Sequence, residues 1–175
     1  MVSPVFLGVL AALFFSSTFV LNRAMSLEGG HWVWSACLRF AYMALLLFGY
    51  QLARYSRQRC TDILRLFARN WRFWIMAGSI GFGLFYALVC FSAAYAAGWI
   101  VATTWQVTIL ASPLVLALFG RTVPRKGLVM ALLMFGGILL VATEHAATST
   151  LKQMLLGALP VLGAAIAYPL GNQLV

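Results

Sequence analysis

Six long apolar stretches constrain the fold of this chain more than any other feature. They run from about 4 to 21, 32 to 53, 73 to 94, 99 to 119, 127 to 143 and 154 to 175. The hydrocarbon core of a bilayer is about 30 Å thick and is crossed by a helix of about 20 apolar residues. Only 9% of the 175 residues are charged, whereas a soluble domain carries about 25%. We therefore predict an all-α integral membrane protein with about six transmembrane helices.

The basic residues are distributed unevenly between the stretches, and this predicts an orientation. The loops after the second and fourth stretches carry nine of them, namely Arg54, Arg57, Arg59, Arg65, Arg69, Arg72, Arg121, Arg125 and Lys126. The alternate loops carry only Arg23 and Lys152. Because loops rich in Lys and Arg stay in the cytoplasm, we predict a multi-pass protein of the cell (inner) membrane with a cytoplasmic N-terminus. The net charge of +9 then reflects topology, with the bilayer and not a nucleic acid as the partner.

The basic loop between the second and third stretches has the pattern of an interfacial helix. Its apolar residues recur at helical spacing at Ile63, Leu64, Phe67, Trp71 and Trp74. We expect such a segment to lie in the headgroup layer with its tryptophans at the interface. Thr61 or Asp62 is the predicted N-cap. The pattern fits a simple anchoring loop or recognition of anionic lipids.

An internal repeat is indicated by the last stretch, which resembles the first. Leu7 and Gly8 align with Leu156 and Gly157, and further leucines match beyond them. Residues 1–150 would then form one five-helix repeat, and residues 151–175 the first helix of a second repeat. Five is an odd number, so the second copy would insert with inverted topology, as in many transporters whose substrate site lies at the repeat interface. We expect the chain to be the front part of a ten-helix protein.

Several polar and aromatic residues inside the stretches are candidates for a substrate path: Ser17, Asn22, Arg39, Tyr86, Trp105 and Gln106. Arg39 is the one charged residue well inside a stretch, and a charge there is costly without a partner. It would contact an anion or substrate in an outward cavity, or else bond helix-end carbonyls or Glu28. Gln106 cannot face lipid cheaply, and Pro113 is predicted to kink its helix. Interhelical packing is the alternative interpretation for these residues.

No catalytic or metal-binding pattern is visible in the sequence. His31 and His145 lie in loops without neighbouring ligands, and the three acidic residues are scattered. Cys37, Cys60 and Cys90 lie far apart and form no zinc-type spacing. We therefore predict that the protein is not an enzyme and that it uses no metal or cofactor.

The sequence resembles the drug/metabolite transporter superfamily. The resemblance rests on residues 14–23 (FFSSTFVLNR), 37–47 (CLRFAYMALLL) and 86–97 (YALVCFSAAYAA). Residues 104–121 (TWQVTILASPLVLALFGR) and 136–141 (GGILLV) are similar to the multidrug resistance efflux branch. The resemblance implies a ten-helix bundle of two inverted five-helix repeats, and proton- or gradient-coupled movement of a small molecule, usually export. It matches Arg39 to an arginine of the second helix and Trp105-Gln106 to a Trp-Gln pair of the fourth.

The chain departs from this family pattern in two places. Gly120-Arg121 lacks the Glu of the Gly-Glu-Arg motif that many members carry after helix four. The first helix also lacks the membrane Glu with which small four-helix exporters exchange protons for cationic drugs. A coupling group would then lie in a second repeat.

The leading functional hypothesis is a secondary transporter, or its N-terminal part, that moves a small-molecule solute by alternating access. Partners would be the lipid bilayer, the solute, and either another copy of the chain or the missing second repeat. The alternatives are a non-transporting membrane scaffold or subunit and a truncated product without activity.

Overall fold

A computed structural model describes residues 3–55, 57–146 and 150–174, and these residues are helical apart from short connections. The helices are α1 (Pro4–Leu27), α2 (Trp32–Arg54), α3 (Arg57–Arg69), α4 (Trp71–Tyr95), α5 (Gly98–Leu118), α6 (Arg125–Ala146) and α7 (Leu151–Leu174). All except α3 are long and apolar enough to cross a membrane. The predicted fold class, an all-α membrane protein with six spans, is confirmed.

Helix α1 is longer than the sequence predicted, because it continues through Arg23 to Leu27. Nη1 of Arg23 donates hydrogen bonds to the carbonyl oxygens of Ala93 and Ala94, each at 3.1 Å. These carbonyls lie at the C-terminal end of α4, where a positive charge is favourable. The arginine is thus satisfied against a neighbouring helix. The chain turns only at Gly29, whose φ of +87° favours glycine.

The short basic helix α3 confirms that this loop contains a helix, but its predicted extent and cap were wrong. Trp71 and Trp74 lie in α4, since the helix is interrupted at Asn70. The helix begins at Arg57, so Thr61 lies inside it and donates from Oγ1 to the carbonyl oxygen of Gln58 at 2.7 Å. Asp62 instead pairs with Arg65 at 3.5 Å. The side chain of Phe67 is exposed, which leaves the apolar face of α3 open to a lipid surface.

Helix α7 occupies the centre of the bundle, between α4 and α5. The side chains that meet there are small and fully buried, with Ala93, Val101, Val161 and Ala164 at most 1% exposed. Small residues let membrane helices approach closely, so that van der Waals contact replaces the hydrophobic effect as the source of stability. Helix α1 packs on α4 and α5, α2 mainly on α4, and α6 mainly on α5.

Helices α4 and α7 approach each other closely at a glycine pair. A Cβ atom added to Gly81 would lie 2.9 Å from Cα of Gly171. Gly81 belongs to a π-helical segment, Ser79–Leu84, that interrupts α4. Such segments insert an extra residue into a helix and often occur near functional sites. This segment was not predicted from the sequence, since an extra residue in a continuous apolar stretch does not change the pattern of residues.

Candidate functional site

A polar cluster lies where α1, α2 and α4 meet, with Arg39 of α2 as its charged member. Nη1 of Arg39 donates to Thr18 Oγ1 at 3.1 Å and to the Tyr86 hydroxyl at 2.6 Å. The guanidinium carbon lies 4.4 Å from the centre of the Tyr86 ring, a cation–π distance. At about 1.5 Å per residue, Arg39 lies about 10 Å along α2 from Trp32. Among the described residues its partners are therefore neutral groups of two other helices, and not Glu28 or helix-end carbonyls.

Tyr86 extends the cluster to Asn22. Its hydroxyl donates to Oδ1 of Asn22 at 3.2 Å, so one hydrogen-bonded chain connects α2, α4 and α1. Tyr86 is 3% exposed and Asn22 is 6% exposed. The amide nitrogen of Asn22 is buried and has no hydrogen-bond partner among the described residues. A buried unpaired donor is uncommon and costs about 1–3 kcal/mol.

A cavity of about 280 Å³ lies beside this cluster. Its polar lining is formed by Thr18, Asn22, Ser35, Arg39, Tyr42 and Tyr86. The remaining lining is apolar, from Leu21, Met25 and Leu38. We call this space the Arg39 cavity.

An aromatic cluster lies next to Tyr86 and contains Trp105. The Trp105 ring centre lies 4.8 Å from that of Phe85, 5.5 Å from that of Tyr168 and 5.8 Å from that of Phe15. Trp105 is 8% exposed. Its contacts join α5 to α1, α4 and α7, so it contributes to packing as well as to the wall of a cavity.

Helix α5 is interrupted directly after Trp105. Its regular parts are Gly98–Trp105 and Thr108–Leu118. Between them the chain makes tight i to i−3 hydrogen bonds, such as that from Leu110 N to the Val107 carbonyl oxygen at 2.9 Å. Pro113 lies inside the second part, so the interruption precedes the proline. The proline ring crowds the carbonyl of Ile109, which is part of the tightened turn.

Gln106 at this interruption lines three cavities, which we call together the Gln106 cleft. Their volumes are about 600, 430 and 380 Å³. The walls come from α1, α5, α6 and α7 and are mostly apolar, with Phe19, Val20, Trp99, Met134, Ile138 and Tyr168 among them. A mostly apolar cleft with a few polar groups, among them the Gln106 amide and Arg23, is suited to a largely apolar solute that makes hydrogen bonds.

Five of the six candidate residues thus fall into two places on different faces of α1. Asn22, Arg39 and Tyr86 lie together at the Arg39 cavity. Trp105 and Gln106 lie together at the Gln106 cleft. Ser17 lines neither space. Its exposed side chain donates to the carbonyl oxygen of Phe14 at 2.7 Å.

Two side chains that contact these spaces were missing from the predicted set. Thr18 bonds Arg39, although its position in the hydroxyl run at 16–18 did not distinguish it from its neighbours. Its spacing of four residues from Asn22 places both on one helical face, a signal that sequence reasoning offers. Arg23 lines the largest cavity of the Gln106 cleft. The sequence predicted a loop position for Arg23, because the first apolar stretch ends at about residue 21.

Metal-binding geometry was not found in the part of the chain that the structure describes. No group of three or more His, Cys, Asp or Glu side chains there is close enough to hold a metal ion. The three cysteines are free thiols.

Comparison with known proteins identifies relatives of this chain. A family model described as "EmrE: Putative multidrug resistance efflux transporter" matches residues 2–175. The uncharacterized protein YjlA of Bacillus subtilis (strain 168) is 39% identical over 180 residues, covering 95% of this chain and 55% of YjlA. An uncharacterized 42.1 kDa protein of Shouchella clausii, encoded in the 3' region of intracellular alkaline protease, is 39% identical over 176 residues, 95% of this chain and 45% of that protein. The chain therefore spans about half the length of these relatives. No solved structure matches it significantly.

Proposed function

The chain belongs to the EmrE family of multidrug resistance efflux transporters, and on that premise we propose that it forms the N-terminal part of a secondary transporter that exports small molecules. Its six apolar helices make it a multi-pass membrane protein. Energy would come from an ion or solute gradient, and the solute would cross by alternating access.

The Gln106 cleft is the observation that carries this proposal. It places a hydrogen-bonding amide at a helix interruption inside a membrane span, next to cavities of about 600, 430 and 380 Å³. Irregular backbone at membrane depth occurs where it is buried in protein or lines a cavity. Interrupted helices form the substrate sites of many transporters. The cleft therefore supports a solute path along α5.

The internal repeat forms the second part of the proposal. Residues 1–150 would be the first repeat, and residues 151–175 the start of an inverted second one. The central position of α7 between α4 and α5 supports this division, because an interface between repeats is where the first helix of the second repeat would pack. By the symmetry of two repeats, α1 would make the corresponding contacts with the remainder of the second repeat or with another copy of the chain.

The proposed orientation places the N-terminus and the basic helix α3 in the cytoplasm of the cell (inner) membrane. The support is the excess of Lys and Arg between α2 and α4 and between α5 and α6. Export would then proceed from the side on which α3 lies.

A drug-hypersensitive host that expresses the chain tests the proposal. Three fluorescent solutes, one cationic, one neutral and one anionic, would be compared for accumulation, with insertion verified by resistance to alkaline extraction. We expect lower accumulation of at least one solute. Replacing Gln106 with Leu should abolish the effect, whereas Ser17→Ala, at an exposed residue outside the cleft, should preserve it. Unchanged accumulation of all three solutes by a well-inserted chain would favour a non-transporting scaffold or an inactive product.

A further inference from the structure

The Arg39 cavity carries a positive charge that no anion of the described chain balances. Arg39 bonds two neutral oxygens, those of Thr18 and Tyr86. Among the residues whose side chains the structure describes (3–55, 57–143 and 150–174), the ion pair found is the exposed one between Arg65 and Asp62. A charged arginine in a membrane span costs about 2.5–3.5 kcal/mol on insertion scales unless it is compensated. Arg39 is itself exposed in this chain, so its two hydrogen bonds hold an unbalanced cation at an open space beside α1 and α4.

Hydrogen-bond donors dominate the groups that remain free at this place. The Tyr86 hydroxyl accepts from Arg39 and donates to Oδ1 of Asn22. The amide of Asn22 is thereby oriented with its acceptor occupied and its Nδ2 donor unpaired. Arginine carries five N–H donors and no acceptor, and only Nη1 is used in the two bonds to side chains. Such a set of donors favours a ligand that accepts hydrogen bonds and carries negative charge.

The size and walls of the cavity limit the ligand further. A volume of about 280 Å³ lies at the lower end for ligand pockets, which measure about 300–1,000 Å³. Leu21, Met25 and Leu38 supply an apolar wall beside the polar groups. A small organic ligand with one anionic end and one apolar end matches both parts.

We propose that the Arg39 cavity binds the carboxylate of a small organic anion, with Arg39 as its ion-pair partner, Asn22 Nδ2 as an additional donor and the apolar wall against its hydrocarbon part. This inference rests on the proposed transport function in one respect, since it names a carboxylate as the class of solute handled at this site. The binding step itself requires no transport.

Equilibrium binding to the purified chain in nanodiscs of neutral phosphatidylcholine tests the site. The probes are benzoate, benzamide and benzylammonium, which share a ring and differ in charge. We expect saturable binding of benzoate and at least about tenfold weaker binding of the two other probes, since a hydrogen bond to a charged group contributes about 1.5–3 kcal/mol. Equal affinity for benzoate and benzamide in the unaltered protein would overturn the proposal, and this comparison needs no variant.

Matched variants then assign the residues. Arg39→Gln should weaken benzoate binding at least about tenfold, and Asn22→Ala should weaken it severalfold. Arg121→Gln removes one charge from an exposed loop and should leave binding unchanged, which controls for net charge. Benzoate binding that persists in a folded Arg39→Gln variant would refute the assignment. Should that variant fail to fold, unaltered affinity in Asn22→Ala would count against it.

The outcomes separate this site from the proposed function. If benzoate binds but no solute is moved, the carboxylate site is supported and the proposed transport function is contradicted. If another solute is transported in a manner that depends on Gln106, and benzoate does not bind, the transport function is supported and the carboxylate site is contradicted.

Discussion

Replacing Gly81 with Ala tests the central packing of α7 against α4. The added Cβ would lie 2.9 Å from Cα and 3.3 Å from the carbonyl carbon of Gly171. Carbon atoms in contact prefer about 3.5–4.0 Å, so the shortfall at Cα is about 0.6–1.1 Å. Both contacted atoms belong to the backbone and have no rotamer to change. The two helices must therefore separate, and we expect a loss of about 1–3 kcal/mol, typical of overpacking.

Gly78→Ala is the matched control, since it adds the same methyl group to the same helix. A Cβ at Gly78 meets nothing within 4 Å. Both substitutions gain up to about 1 kcal/mol of helix propensity, so the difference between the variants isolates the clash. Unfolding would be followed by circular dichroism in mixed micelles as the fraction of sodium dodecyl sulfate is raised. If both variants unfold at the same detergent fraction, the close approach of α4 and α7 does not exist.

Three further predictions concern the polar contacts and the orientation. Tyr86→Phe leaves Arg39 without one acceptor and the Asn22 side-chain carbonyl without its donor. The same unfolding assay should therefore show a free energy of unfolding lower by about 1–3 kcal/mol. An unchanged midpoint would contradict the hydrogen bonds that connect Arg39, Tyr86 and Asn22. Arg23→Gln removes the hydrogen bonds of the guanidinium to the carbonyls at the end of α4, and the free energy of unfolding should fall by about 1.5–3 kcal/mol. An unchanged free energy of unfolding would contradict the contribution of these bonds. The orientation is tested in a chain whose native cysteines are replaced by alanine and which carries either His31→Cys or Gln58→Cys. A membrane-impermeant maleimide added outside cells should label the His31→Cys variant and not the Gln58→Cys variant. The reverse pattern would show that the topology is opposite to the proposed one.

Most of the fold was accessible from the sequence because the bilayer permits few solutions. A span requires a continuous apolar stretch of a set length, and the six stretches lie where six helices lie. The boundaries that were misplaced depend on tertiary contacts. Helix α1 continues past Arg23 because that side chain donates hydrogen bonds to carbonyls of another helix. A local sequence pattern does not indicate such a distant partner.

The candidate site was predictable in its residue types and less so in its grouping. A charge and an amide inside apolar stretches stand out by cost alone, which identified Arg39 and Gln106. Their separation onto different faces of α1 depends on how that helix is rotated against its neighbours. The place of Ser17, bonded within its own helix, and of Thr18, bonded to Arg39, follows from the same rotation. Neighbouring hydroxyl residues in sequence give no direct measure of it.

Solute movement in proteoliposomes is the most direct test of the central claim that this chain contributes a transport path through the Gln106 cleft. The purified chain, together with any polypeptide that copurifies with it, would be reconstituted and assayed for counterflow of the solute whose accumulation falls most in the expressing host. The account predicts saturable exchange above protein-free liposomes, reduced at least about tenfold by Gln106→Leu, because the Gln106 amide lines all three cavities of the cleft. Exchange no faster than in protein-free liposomes, with insertion demonstrated, or saturable exchange that Gln106→Leu leaves unchanged, would contradict it.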